Sequence, residues 1–328
     1  MRSLPTRAVR WVALAAAVTA LVLLAAACGS STSGSSGGTS PSASATGTTV
    51  AGVTVTADPS LKAMLPAAIV SANQIRVASD IPYPPWEAYT SATSKQPTGF
   101  DYDLSQAIGA KIGVPAAFME TPFDSIILAI KGGRRDMIMS DMADTAPREK
   151  EGVTFVDYAY DASSILAAKG NPKGVTTLDS LQGKPVAVES GTTQQLLMQK
   201  LNTQWKKAGK KQMTILALPN QPAALLAVSS GRAVGDLTDH STAEYIAKTT
   251  NGGNSFEVVN DPAAPHGYYP ELIGIGIVSS NTGLVSTVQK ALQDLIADGT
   301  YTKIIDKYGI LPVSTVKLNA GASLGSAY

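Results

Sequence analysis

Cysteine is almost absent from the 328-residue chain: Cys28 stands alone, so no intrachain disulfide can form. Two histidines, His240 and His266, leave little material for a zinc site. Charge is also scarce, at 16% of residues, while apolar residues make up 44%, a balance that excludes a disordered chain or a coiled coil. The formal net charge is +1, but Arg2, Arg7 and Arg10 fall in the first 27 residues, which hold no acid. The remainder carries 23 basic and 25 acidic side chains and offers no general attraction for nucleic-acid phosphates. A length of 328 residues predicts about two domains.

What is present begins with an address. Three arginines precede a 17-residue run from Trp11 to Ala27, interrupted by Thr19. A basic start, an apolar middle and a small-residue ending predict a secretory signal peptide over residues 1–27. The run also falls at the short end of the membrane-spanning range, but no charged stop follows it. From Gly29 to Val50, 18 of 22 residues are Gly, Ser or Thr, which predicts a flexible tether extending to residue 57. The folded body is expected from residue 58 to 313, with a Gly/Ala/Ser-rich tail over 314–328.

The body alternates strand and helix signals. Short apolar runs at Ile75–Ser79, Asp136–Ser140, Val186–Val188, Thr214–Leu218, Val234–Thr238 and Leu272–Val278 predict strands. Helices are predicted over Phe100 to Gly113, Ser125 to Lys131 and Thr193 to Leu201, and from Pro222, Ser241 and Leu284 onward. Such alternation predicts an α/β protein with mainly parallel, doubly wound sheets, whose ligands bind outside the carboxyl ends of the strands.

Those strand ends are polar. Asp80-Ile81-Pro82-Tyr83-Pro84-Pro85-Trp86-Glu87 follows the first. Ser140-Asp141-Met142-Ala143-Asp144-Thr145-Ala146-Pro147-Arg148 follows the second. Glu189-Ser190-Gly191-Thr192-Thr193 and Thr238-Asp239 end two more. With Gly99-Phe100-Asp101-Tyr102-Asp103-Leu104, Leu181-Gln182-Gly183-Lys184 and Asp298-Gly299-Thr300-Tyr301, this ordered set resembles the amino-acid-binding extracellular solute-binding proteins of ABC importers, over roughly residues 65–311. Leu24-Ala25-Ala26-Ala27-Cys28 resembles a bacterial lipobox, with Ala25 where Leu is more usual. That likeness implies acylation at Cys28 and anchoring to the outer face of the cell membrane. Each buried methylene contributes about 0.8 kcal/mol, so two or more chains hold where one does not.

The resemblance implies a type II periplasmic-binding-protein fold. Residues 58–166 and 267–313 would form one lobe and 167–266 the other, joined by crossings near 163–168 and 267–275. It implies no cofactor or metal, a membrane permease as partner, no nucleic acid, and a monomer. Arg148 would grip the ligand carboxylate by two parallel hydrogen bonds, which lysine cannot supply. Thr192 and Thr193 would meet the same carboxylate at a helix start. Asp239 would hold the ammonium. Tyr83, Trp86 and Phe123 would supply aromatic walls, and Ser140 and Ala143 line the same site. Glu87 and Asp101 match the pattern too, Asp101 in a structural role near a helix start. The family usually has Ser or Thr at the Ala143 position and a small neutral residue at Asp141. Asp80, Asp141 and Glu189 would face the ligand side chain and favour a cationic one, such as arginine, ornithine or lysine; a methylated ammonium in an aromatic box is the other option. The alternatives are a cyclic-acid dehydratase of the same fold, using His240 and His266 as an acid–base pair, and a ligand sensor for a membrane kinase.

Overall fold

The computed structural model describes residues 47–321. The signal peptide, Cys28 and most of the expected tether lie outside the described residues.

Order begins earlier than expected, with a hairpin of β1 (Thr48–Val50) and β2 (Val53–Val55). Its turn residues Ala51 and Gly52 both take positive φ, the twist a two-residue hairpin needs. Val50 and Val55 are buried in the first core, so the tether does not extend to residue 57. The Val50-Val53-Val55 spacing carried this signal beneath a Thr-rich composition.

α1 (Pro59–Met64) opens on Asp58, whose side chain accepts from the Ser60 amide, with proline in the first turn. α2 (Ala67–Ala72) leads to β3 (Ile75–Ser79), and a small ladder of β4 (Ala88–Tyr89) and β5 (Pro97–Thr98) precedes α3 (Phe100–Ile112). β6 (Ala116–Glu120) pairs parallel to β3, as does β7 (Met137–Ile138), which follows α4 (Ile126–Lys131). α5 (Ala146–Lys150) then turns the chain into β8 (Val153–Ala168), a single 16-residue strand. Sequence periodicity misses β8 because it is buried on both faces and interrupted by Asp157, Asp161, Ser163 and Ser164.

The second half repeats the plan. β9 (Pro185–Glu189), α6 (Thr193–Lys207), β10 (Thr214–Leu218), α7 (Gln221–Ser229), β11 (Asp236–Asp239), α8 (His240–Thr249) and β12 (Phe256–Val258) follow in order. β13 (Tyr268–Val278) then runs back beside β8, followed by α9 (Thr282–Ala297), α10 (Thr300–Ile305) and β14 (Leu311–Pro312).

The strand order is β10-β9-β11-β8-β13-β7-β3-β6. Pairing is parallel within each half and antiparallel where β8, β13 and their neighbours meet. Apolar clusters cover both faces of each half. Leu104, Ile108 and Leu292 lie on one face of the first and Ile126, Ile138 and Phe155 on the other. Leu197, Met198 and Trp205, then Ala224, Ala243 and Ile246, do the same for the second.

β8 and β13 run between the halves. Their register slips between Tyr268–Ser163 and Glu271–Asp161, leaving Tyr269 and Pro270 as a bulge. Gly267, at φ +89°, sits against this crossing; a Cβ there would fall 2.8 Å from the Ser163 carbonyl oxygen, so only glycine fits. The chain end also departs from expectation. Lys317 O accepts from the Asp157 amide, Asn319 Oδ1 from the Phe155 amide, and the Gly321 amide donates to Asp144 Oδ2. Residues 317–321 are therefore a strap along β8 rather than a loose tail, held by a mixture of backbone and side-chain bonds that a Gly/Ala/Ser composition does not announce.

Candidate functional site

The carboxyl ends of β3, β7, β9 and β11 converge on one cavity. From the first half come Asp80, Tyr83, Phe123, Ser140, Asp141, Ala143 and Arg148; from the second come Glu189, Thr192, Thr193 and Asp239. Glu87 and Gln194 join them. Gln194 was not anticipated; its signal was its place one residue into a helix that opens on the cavity.

Short polar links position these groups. The Asp80 amide donates to Ser140 Oγ (2.9 Å), and that hydroxyl donates to Glu87 Oε1 (2.7 Å), tying the ends of β3 and β7 together. The Asp80 carboxylate accepts from the Phe123 amide (2.9 Å). Asp141 takes φ +44°, and its amide donates to Asp101 Oδ2 (2.9 Å). Thr145 caps α5 and so fixes Arg148. The Arg148 guanidinium donates to Ala143 O (2.7 Å) and to Gly191 O across the cleft (3.1 Å), and lies 5.6 Å from the centre of the Phe123 ring. Thr192 caps α6, and Thr193 Oγ1 donates to Glu271 Oε2 (2.9 Å). Asp239 accepts from Tyr83 Oη (2.7 Å) on one oxygen and Gln194 Nε2 (2.8 Å) on the other.

Trp86 corrects an expectation. It is fully buried beside Phe100 and Tyr158 and does not line the cavity. Its ring instead packs into the first core while Nε1 donates to Ser241 Oγ (2.8 Å) of the second half. Indole has one polar atom, and here a serine outside the cavity satisfies it. His240 and His266 also lie elsewhere, in a groove with Tyr160 and Tyr308, and His240 Nδ1 is hydrogen-bonded to Ser164 Oγ (2.8 Å).

The cavity is dominated by acid. Five carboxyls line it against one guanidinium. The acids fall into two poles rather than the single set expected of Asp80, Asp141 and Glu189. Asp80 and Glu189 form one pole: burial raises both above the ordinary carboxyl range, and each feels the other. Asp141, Asp161 and Asp239 form the other, each raised by burial, with charge repulsion from within the pole adding at Asp141 and Asp239. Glu87 and Asp101 sit together behind Asp141; burial pushes Asp101 up to about 6. Among the described residues, the Asp141–Asp161–Asp239 trio is the one group of three acids whose ligating oxygens all lie within 4.8 Å of one another. Hard carboxylate oxygens with no thiolate or imidazole suit an ammonium or a hard cation, not zinc.

The profile of the bacterial extracellular solute-binding proteins, family 3, matches residues 75–310. The chain is 30% identical over 236 residues to the lysine/arginine/ornithine-binding periplasmic protein of Escherichia coli (strain K12), covering 71% of this chain and 86% of that one. It is similar to the solved structure of an ancestral arginine-binding protein bound to arginine (TM-score 0.60, 30% identity, 72% of this chain and 98% of that one). It is also similar to an ancestral amino-acid-binding protein described as a precursor of cyclohexadienyl dehydratase (TM-score 0.59, 30% identity, 74% and 97%).

Proposed function

Since the chain belongs to the bacterial extracellular solute-binding proteins, family 3, we propose that it captures a free basic amino acid between two closing lobes and delivers it to an ABC permease. The observation that carries this reading is the shared cavity. Arg148 from one half and Asp239 from the other line it, with a second acidic pole at Asp80 and Glu189. A zwitterion needs a cation and an anion at fixed separation. A basic side chain needs a further acid beyond them.

The Arg148 fork takes the ligand carboxylate, a stronger acceptor than the carbonyls of Ala143 and Gly191. Asp239 receives the ammonium, and Asp80 with Glu189 receives the side-chain cation. Because the last two acids stand on different lobes, a cationic side chain touches both and lowers the free energy of the closed form. A ligand that interacted equally with open and closed forms would shift nothing. The protein acts as a binder and not an enzyme, a lipoprotein exported behind residues 1–27 and held at the outer face of the cell membrane through Cys28, with the monomer as its working form.

The test is calorimetry on protein unfolded, dialysed and refolded to strip carried-over ligand. L-arginine or L-lysine is expected to bind and to be recovered chemically unchanged. Tight binding of L-glutamate with no binding of either basic amino acid would overturn the reading.

A further inference from the structure

Three carboxylates stand where one would suffice for an ammonium. Asp161, from β8, accepts from the Ala162 amide (2.7 Å) and from the hydroxyl and amide of Ser241. Asp239 has a donor on each oxygen, from Tyr83 and Gln194. Asp141 is different. It is 6% exposed, lines the cavity, and neither of its carboxylate oxygens has a hydrogen-bond partner. A buried carboxylate without a donor is costly, and two like charges within 4.8 Å make it costlier.

The surrounding groups do not relieve it. Glu87, Asp101, Asp161 and Asp239 all add negative charge around Asp141, and the phenols of Tyr83 and Tyr158 stand close by. Glu271 adds further negative charge at Asp239, and His240 acts on Asp161. Arg148 lines the same cavity but is engaged with Ala143 and Gly191.

We propose that Asp141 is a second carboxylate for the ligand's amino end, and that a proton held in the Asp141–Asp161–Asp239 cluster before capture is exchanged for that ammonium. The inference rests on the reading of the site given above and deepens it. The balance is simple: the ligand arrives already as –NH3⁺, no bond to its nitrogen changes, and the proton leaving the carboxyl passes to solvent. Burial and mutual repulsion, which raise both Asp141 and Asp239, supply the proton that is lost.

The experiment is titration of refolded wild type and Asp141→Asn with L-arginine and L-lysine near pH 7, in phosphate and in Tris. The dependence of the heat on buffer ionisation counts the protons. Wild type is expected to release on the order of one proton per ligand, because the bound state holds fewer protons than the free one. Asp141→Asn is expected to release markedly fewer and to bind at least tenfold more weakly. Its ligand-free melting temperature above neutral pH should rise, since a repelling charge is gone. A residue with a merely structural role would lower stability and affinity together. That outcome overturns the proposal, as does wild-type proton release in the variant. If Asp141→Asn does not fold, Asp141→Ser is measured in the same way. Binding of L-arginine by wild type with no proton released overturns this inference alone, whereas failure to bind either basic amino acid overturns the functional reading with it.

Discussion

Replacing Asp236 by asparagine should make ligand-free protein more stable, and the gain should grow with pH. Asp236 opens β11, is fully buried, and accepts a 2.7 Å hydrogen bond from Gln221 Nε2. Burial outweighs that bond and pushes its pKa up to about 7. Asp236 Oδ1 and Gln221 Oε1 are both buried acceptors with no donor, so a proton on the acid suits the site and so would an asparagine amide. The sign follows from linkage. With a folded value above the unfolded one, the native state keeps a proton that the unfolded chain has released. Stability is therefore lost as pH rises from about 4 and levels off above about 7. Integrating between those two values, wild type should lose roughly 3 kcal/mol relative to Asp236→Asn between about pH 5 and about pH 8.5. Other titrating groups are common to both proteins and cancel in the difference. Urea unfolding of both proteins at the two pH values measures it. A stability difference that is the same at both, or that shrinks at the higher pH, would refute the assignment of a neutral, buried Asp236.

Arg148→Ala should weaken L-arginine binding at least thirtyfold, since truncating one partner of a buried charge pair costs about 2–5 kcal/mol; calorimetry at an unchanged unfolding midpoint checks it. Trp86→Phe keeps an aromatic ring against Phe100 and Tyr158 but loses the cross-lobe bond to Ser241, a loss of about 1 kcal/mol from the closed form. Small-angle scattering of the ligand-free variant should then report a larger radius of gyration than wild type. Discrimination between L-arginine and L-glutamine should be narrower at low pH than at high pH. Burial raises Asp80 and Glu189, so both take up protons ahead of ordinary carboxyls as pH falls, and a protonated carboxyl no longer rewards a cationic side chain. Competition titrations at both pH values measure the ratio, and an unchanged ratio counts against these two acids as selectors.

The repeating parts of the fold were legible because burial imposes a period. β3 and β10 occupy the residues expected, and α3 ends against Gly113 at φ +77° as its sequence stop indicates. The expected strand over 136–140 shrinks to Met137–Ile138, because Ser140 and Asp141 have turned away to serve the cavity. What escaped were the segments held by mixed backbone and side-chain bonds or by burial on both faces. β8 carries acids and serines inside the protein, and the strap over 317–321 is fixed by backbone bonds at Lys317 and Asn319 and by single contacts to the side chains of Asn319, Asp157 and Asp144. Neither leaves a side-chain period to read.

Within the site, position was legible and direction was not. Strand-end geometry gathers Glu189, Thr192 and Asp239, and α5 brings Arg148 beside them; the strand-end rule indicated where to look, and the family resemblance picked out these residues. Trp86 lies three residues beyond Tyr83 in the same loop, yet Tyr83 faces the cavity and Trp86 the core; a loop has no fixed alternation from which to tell them apart. The same blindness put Asp141 with Asp80 and Glu189, although its positive φ swings it toward Asp239. The consequence is physical. One pole repels across the cleft between lobes, while the other concentrates charge around Asp141 and Asp239. A ligand with a single cation can neutralise one of them, and closure is favoured most by a ligand whose two cations span both.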